Sequence, residues 1–138
     1  LDTYVELYHG GIIALEEFAK QPYDRDILVG LIVKKMNAQC VYLTHRNTKT
    51  DFPVLTCAVS SLDGKGYAVI GARPGRAVRI KLPSNWEQEE DCQELAVRTA
   101  QQTTYGSNMR ASAAYRKHLA EVLLVRSMEK LAQERRGR

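Results

Sequence analysis

The sequence predicts an α+β fold, in which an antiparallel sheet of about four strands packs against helices at the C-terminal end of the chain. Strand-like runs occupy roughly the first 80 residues, and apolar residues recur at helical spacing from about residue 84 onward. Strands first and helices last indicate a sandwich with helices on one sheet face. At 138 residues the chain is expected to form a single domain, residues 1–138.

The N-terminal third contains three predicted strands and one short helix. Residues 3–8 mix aromatic and β-branched side chains and end at a glycine turn, as strands do, and a helix is expected over residues 14–20. Residues 26–35 are apolar on both faces, which predicts a well-covered strand, and residues 39–45 form the next strand. Because the first residues have the composition of a strand interior, we expect the chain to be part of a longer polypeptide.

Two further runs, residues 54–60 and 66–72, are predicted to pair as an antiparallel hairpin. The segment that joins them contains Asp63-Gly64, a dipeptide that favours the tight turn of a hairpin. Residues 77–82 form either another strand or an extended connector.

The second half of the chain changes to helical spacing. Ser84 and Glu87 form a capping box, and further carboxylates favour the same helix start: Glu89, Glu90 and Asp91. The apolar stripe of this helix is Cys92, Leu95, Ala96 and Thr99. Ser107-Asn108 is expected to cap the last helix. The two apolar stripes of that helix are Tyr115, Leu119 and Val122, and Leu124, Met128 and Leu131.

The net charge of +4 comes mainly from the end of the chain. From residue 126 onward there are five Lys or Arg against two Glu, which leaves 15 basic and 14 acidic residues in the remainder. A basic tail at residues 132–138 can contact nucleic acid or acidic lipid, but basic residues also suit the negative end of a helix dipole. We favour the helix explanation and expect neither a nucleic-acid nor a membrane partner. No apolar run approaches the roughly 20 residues that a membrane span requires.

The three cysteines, Cys40, Cys57 and Cys92, are too far apart in sequence for the short spacing of a zinc or redox site. We therefore expect buried thiols in a reducing compartment, which indicates a cytoplasmic protein, and no metal site.

Three stretches together resemble the C-terminal domain of the FAD-binding subunit of the molybdenum hydroxylases, the family of carbon monoxide dehydrogenase and xanthine dehydrogenase. The most specific, Arg110-Ala-Ser-Ala-Ala-Tyr-Arg-Lys-His-Leu119, is similar to the family pattern R-x-S-x-x-Y-R-x-x-L at the start of the last helix. Asp26-Ile27-Leu28 resembles the start of a family strand. Residues 42–54 are similar to the aromatic strand and Arg-containing loop of the family, with Phe52-Pro53 where Ile-Ala is usual.

The resemblance covers about residues 12–131. It leaves two alternatives for residues 1–11, which are either the tail of an upstream FAD-binding domain or a part of this domain. It implies a part of a flavin-dependent oxidoreductase that helps to close the flavin site and to support assembly. FAD would be held mainly by upstream domains. The molybdenum cofactor and the iron–sulfur clusters, which pass electrons to the flavin, would lie on partner subunits or domains. A homo-oligomer is a further expectation.

The resemblance places flavin contacts in the loop of residues 44–54, at Arg46, Asp51 and Phe52, where polar groups and solvent access tune a flavin. The alternative is structural: Asp51 makes a turn, and Phe52 plugs the core.

No residue is predicted to be catalytic, because nothing near His118 in the sequence supplies a nucleophile or an orienting carboxylate. Arg110 and Arg116 are expected to have a structural role at the start of the last helix, and Tyr115 to be a core residue with its hydroxyl bonded at the edge. The isolated chain is therefore expected to be inactive. The rival hypothesis is a non-enzymatic interaction or oligomerisation module that uses the last helix and the basic tail.

Overall fold

The computed structural model describes residues 2–22, 25–88 and 92–136. They form two compact units, residues 1–37 and 38–138, and the elements of each are α+β with antiparallel sheets, which confirms the fold class. The predicted division into domains stays a prediction. Among the described residues, no helix has the length and apolar character that crossing a membrane requires.

The N-terminal unit is a three-stranded sheet with one short helix. Its elements are β1 (Thr3–Leu7), β2 (Gly11–Ala14), α1 (Leu15–Phe18) and β3 (Leu28–Val33), and the strand order is β2-β1-β3. The turn between β1 and β2 is held by Asp26, whose carboxylate accepts the backbone N–H groups of His9 and Gly10 at 3.0 and 2.7 Å. These hydrogen bonds lower the pKa of the Asp26 carboxyl, the one from His9 most strongly.

The prediction that residues 26–35 form a well-covered strand is wrong about the cover. β3 forms as expected, but its side chains are exposed on both faces. The exposed apolar residues are Ile27, Leu28, Val29, Leu31, Ile32 and Val33. A strand that is apolar on both faces is normally buried on both, and the described residues of its own unit leave β3 uncovered.

The C-terminal unit is a four-stranded antiparallel sheet with helices on one face. Its strands are β4 (Gln39–His45), β5 (Leu55–Leu62), β6 (Lys65–Gly71) and β7 (Val78–Lys81), in sequential order. Asp63 and Gly64 have φ angles of 50° and 74°, as the predicted tight turn between β5 and β6 requires. Residues 78–81 are a strand, which decides between the two alternatives left open by the sequence.

The helices of this unit are α2 (Cys92–Ala100) and α3 (Ala113–Arg136). The prediction that an α-helix begins after Ser84 is wrong, because a 3-10 helix forms at Trp86–Gln88. The Glu87 carboxylate, predicted to belong to a capping box, accepts a hydrogen bond from Ser61 Oγ at 2.8 Å. Glu89, Glu90 and Asp91 lie outside the described residues. The predicted basic tail is the continuation of α3 as far as Arg136.

The core lies between the helices and the inward face of the sheet. Alternate residues of β5 are buried, namely Leu55, Cys57 and Val59, and the predicted stripes of α3 supply Leu119, Leu124, Met128 and Leu131. Tyr115 was predicted to join this core, and that is wrong, because its side chain is 45% exposed at the first turn of α3. Trp86 closes one end of the core over β6.

We predict that Gly66→Ala destabilises the C-terminal unit, because a Cβ atom at this position would overlap the indole ring of buried Trp86. Overpacking of this kind costs about 1–3 kcal/mol of unfolding free energy. Urea unfolding followed by the fluorescence of Trp86, the single tryptophan, measures the loss. The control is Gly30→Ala, another strand glycine, where the nearest atom to an added Cβ is 3.8 Å away. Equal unfolding midpoints for the two variants would contradict the prediction.

The thiols also make a testable contrast. Cys57 is buried as predicted, and burial raises its pKa to about 12, whereas the prediction of a buried Cys40 is wrong, because it is exposed on the edge strand β4. At pH 8 a thiol with such a pKa is ionised in about one molecule in ten thousand. Iodoacetamide should therefore modify Cys40 in the folded chain and Cys57 only after unfolding, as read by peptide mass spectrometry. Equal rates at the two positions would show that Cys57 is not protected.

Candidate functional site

The loop between β4 and β5 is closed by its own backbone and by Arg46. The Arg46 guanidinium donates to the Asp51 carbonyl at 2.6 Å, and the Asp51 N–H donates to the Thr48 carbonyl at 3.2 Å. The Val54 N–H donates to the His45 carbonyl at 2.8 Å, where the two strands meet. Arg46 therefore shapes the loop through a hydrogen bond to backbone.

Asp51 joins this loop to the segment before α3. Its carboxylate accepts the Phe52 N–H at 2.7 Å and the Arg110 guanidinium at 3.3 Å from Nε and 3.1 Å from Nη2. The hydrogen bonds from Arg110, followed by that from Phe52, lower the pKa of the Asp51 carboxyl. Both side chains are about 30% exposed, 29% for Arg110 and 31% for Asp51. The ion pair lies at the rim of the unit, where solvent screens it in part.

Phe52 does not fill the core, so the alternative prediction of a structural role in the core is wrong for this residue. Its side chain is 73% exposed, while Val54, two residues later, is fully buried. The Arg110 guanidinium carbon lies 5.4 Å from the centre of the Phe52 ring, within the range of a cation–π contact. Phe52 is therefore presented to solvent beside a charged pair.

Arg110 is placed by the turn that precedes α3. Its N–H donates to Asn108 Oδ1 at 3.0 Å, and its carbonyl accepts Asn47 Nδ2 at 3.3 Å. The predicted helix cap is present in part: Ser107 Oγ accepts the N–H of Ala113, and Ser112 Oγ accepts that of Tyr115.

The structure brings the three predicted flavin-contact residues together and adds a fourth. Arg46, Asp51, Phe52 and Arg110 form one group, which we call the rim cluster. Sequence reasoning assigned Arg110 to a structural role only. Two features of the sequence could have indicated Arg110: its charge is opposite to that of Asp51, and it belongs to the most specific motif. However, Arg110 and Asp51 are 59 positions apart, and no local sequence pattern reveals a contact over that distance.

His45 lies close to the first turn of α3, and His118 lies on that helix. His45 Nε2 is 3.4 Å from the Tyr115 hydroxyl, with the two rings edge to face. The side chain of His118 is 73% exposed, and its Nδ1 lies 3.7 Å from the Glu121 carboxylate. The expectation that no carboxylate lies near His118 in the sequence is therefore wrong, because Glu121 is three residues further along the same helix. Among the residues that the structure describes, no group of three or more His, Cys, Asp or Glu is arranged to hold a metal ion.

The rim cluster presents groups that suit contact with the edge of a flat aromatic ligand. Phe52 offers an exposed ring, and the Asp51–Arg110 pair offers an acceptor and donors beside it. Such a surface orients a ring and sets the polarity around it, and it supplies no nucleophile.

Comparison with solved structures relates this fold to two oxidoreductases. Quinoline 2-oxidoreductase from Pseudomonas putida 86 matches over 96% of this chain with a TM-score of 0.69 and 18% sequence identity. Carbon monoxide dehydrogenase from Hydrogenophaga pseudoflava, in a form that lacks the Mo-pyranopterin moiety of the molybdenum cofactor, matches over 93% with a TM-score of 0.67 and 14% identity. The chain shares their fold.

The match covers 52% of each of those chains, so this chain spans about half the length of the solved structures that it matches. No protein-family model and no curated protein sequence matches it. At these identities the comparison concerns the fold, and the chemistry of the chain has to be argued from its own residues.

We predict that Asp51→Asn reduces the acid sensitivity of the C-terminal unit. Since Arg110 holds the pKa of Asp51 below its ordinary value of 3.8, the ionised carboxylate stabilises the fold above that pH. This contribution is lost as the pH falls through the lowered pKa. The urea midpoint of the unsubstituted chain should therefore drop between pH 7 and pH 2.5, and that of the variant should drop less.

The matched control is Asp63→Asn, in the turn between β5 and β6, which should keep the drop seen in the unsubstituted chain. An Asp51→Asn variant with the full drop would show that the pair with Arg110 does not contribute to stability.

Proposed function

We propose that this chain is the C-terminal part of the FAD-binding subunit of a molybdenum hydroxylase-type oxidoreductase. In this proposal it closes one side of the flavin site, supports assembly of the enzyme, and catalyses nothing alone. The observation that carries the proposal is the rim cluster, an exposed aromatic ring beside a fixed ion pair, on a fold shared with two oxidoreductases.

The described residues fit the ring system of a flavin better than its phosphates. Phe52 would lie against the isoalloxazine, and Asp51 with Arg46 and Arg110 would set the polarity at its edge. A phosphate site usually places a glycine-rich turn at the start of a helix after a strand. Here Gly10, Gly64 and Gly75 lie in connections between strands. The phosphates of FAD would therefore be held by upstream domains.

FAD supplies the capacity to accept electrons as a pair and to pass them on. The residues of this chain would orient the ring, exclude water from one side of it and fix the charge beside it. The molybdenum cofactor and the iron–sulfur clusters would belong to partner subunits or domains, which makes those subunits the expected partners of this chain.

We further propose that the whole N-terminal unit, residues 1–37, completes the upstream FAD-binding domain, and that the division lies near residue 37 instead of residue 11. The support is β3, whose apolar side chains are exposed on both faces. A strand of this composition needs polypeptide on each side. The compact unit that contains β3 ends at Asn37.

Flavin content tests the proposal. The longest natural polypeptide that contains this chain should be isolated with bound, reducible flavin, whereas the 138-residue chain alone should bind FAD weakly in a fluorescence titration. Phe52→Leu in the longer polypeptide should weaken flavin binding by roughly two- to tenfold, the worth of one aromatic contact. The matched control is Tyr42→Leu, which removes another exposed aromatic ring, on β4.

A colourless longer polypeptide would contradict the proposal and would favour the interaction-module hypothesis. Tight stoichiometric binding of FAD by the 138-residue chain would contradict the assignment of the phosphate site to upstream domains. Equal effects of the two substitutions would remove Phe52 from the flavin site.

A further inference from the structure

Arg116, on the first turn of α3, is a charged side chain with 1% of its surface exposed. Its guanidinium donates four hydrogen bonds. Nε donates to the Val54 carbonyl at 3.0 Å, and Nη1 donates to the carbonyls of Gly106 and Ala111, both at 2.7 Å. Nη2 donates to Asn108 Oδ1 at 2.6 Å. The side chain therefore contacts the β4–β5 loop and the turn before α3 at the same time.

The segments fastened in this way are those that carry the rim cluster. Val54 follows Phe52 by two residues, and Ala111 directly follows Arg110. Asn108 Oδ1 is shared, because it accepts both Arg116 Nη2 and the N–H of Arg110. A movement of either segment would break hydrogen bonds to the same planar group.

The chemistry of this position calls for arginine. All four acceptors are neutral oxygens of carbonyl or amide groups, so within the described residues this buried cation is compensated by dipoles. Only a rigid fork of N–H groups reaches four acceptors in different directions, whereas a lysine ammonium is a single point with three donors. The Val54 carbonyl lies in the interior, so leaving it unpaired would carry a desolvation cost, while the other three acceptors are partly buried.

We infer that Arg116 is the positioning residue of the rim cluster: by holding Val54 and Ala111 together, it sets the contact between Asp51 and Arg110. The positioning role of Arg116 is supported by these contacts alone, whereas its importance for a flavin depends on the function proposed above. Arg116 itself is buried, so it acts on any ligand only through Asp51, Phe52 and Arg110.

The test follows the Asp51 carboxyl in Arg116→Lys by ¹³C NMR titration of the 138-residue chain, without flavin. The charged groups that act on this carboxyl are Arg110 and, more weakly, Arg46. If Arg110 is no longer held, the titration midpoint of Asp51 should rise toward its ordinary value of 3.8, and the Arg110 Nε–H resonance should shift or broaden. The control Met128→Ala removes a buried side chain near the other end of α3 and destabilises the fold without touching the rim cluster.

An unchanged Asp51 midpoint and an unchanged Arg110 resonance in folded Arg116→Lys would overturn the inference, as would an equal change in Met128→Ala. If Arg116→Lys does not fold, Asn108→Ala answers the same question, because it removes one acceptor of Arg116 and the one that receives the Arg110 N–H. It should move the Asp51 midpoint in the same direction by a smaller amount, and no movement would overturn the inference. Since flavin is absent from these titrations, they test the positioning role of Arg116 separately from the proposed function. Either of the two claims can be wrong while the other is right.

Discussion

The arrangement around the start of α3 depends on the hydrogen bonds of one buried guanidinium. Arg116 donates to three backbone carbonyls and one amide oxygen, and it lies where the last helix, the turn before it and the β4–β5 loop meet. Packing of α3 on the inward face of β5 buries this guanidinium, and burial together with the nearby Arg110 charge lowers its pKa. The acceptor at Val54 is buried and the other three acceptors are partly buried, so displacing any of the three segments would leave N–H groups of a buried guanidinium unpaired.

Much of the fold could be predicted because its signals are local. The alternation of β5, the Asp63-Gly64 turn and the helical spacing of Leu119, Leu124 and Met128 all concern residues near one another in sequence. The errors concern which surfaces of an element are covered by other parts of the structure. The composition of β3 predicts a covered strand, but the composition of a strand does not supply the polypeptide that covers it. Cys40 is exposed because it lies on the outward face of β4, where the next residue, Val41, faces inward and is buried.

The rim cluster could be predicted only in part, for the same reason. Resemblance to a family loop selected Arg46, Asp51 and Phe52, and the structure brings these residues together with Arg110. The contact between Asp51 and Arg110 and the bond from Arg116 to Val54 join positions that are 59 and 62 residues apart, so no local sequence pattern indicates them. Tyr115 shows the converse, since its helical spacing indicates a core residue, but its side chain is 45% exposed at the first turn of α3, with its hydroxyl 3.4 Å from His45 Nε2.

The most direct test of this account is an experimental structure of a flavin-bound assembly that contains this chain. The account predicts the isoalloxazine ring in van der Waals contact, within about 4 Å, of Phe52 or Asp51, with the hydrogen bonds of Arg116 to Val54 and Ala111 intact. A flavin bound elsewhere, with the rim cluster facing solvent, would contradict the proposed role of the loop, whatever the fold of the remaining polypeptide.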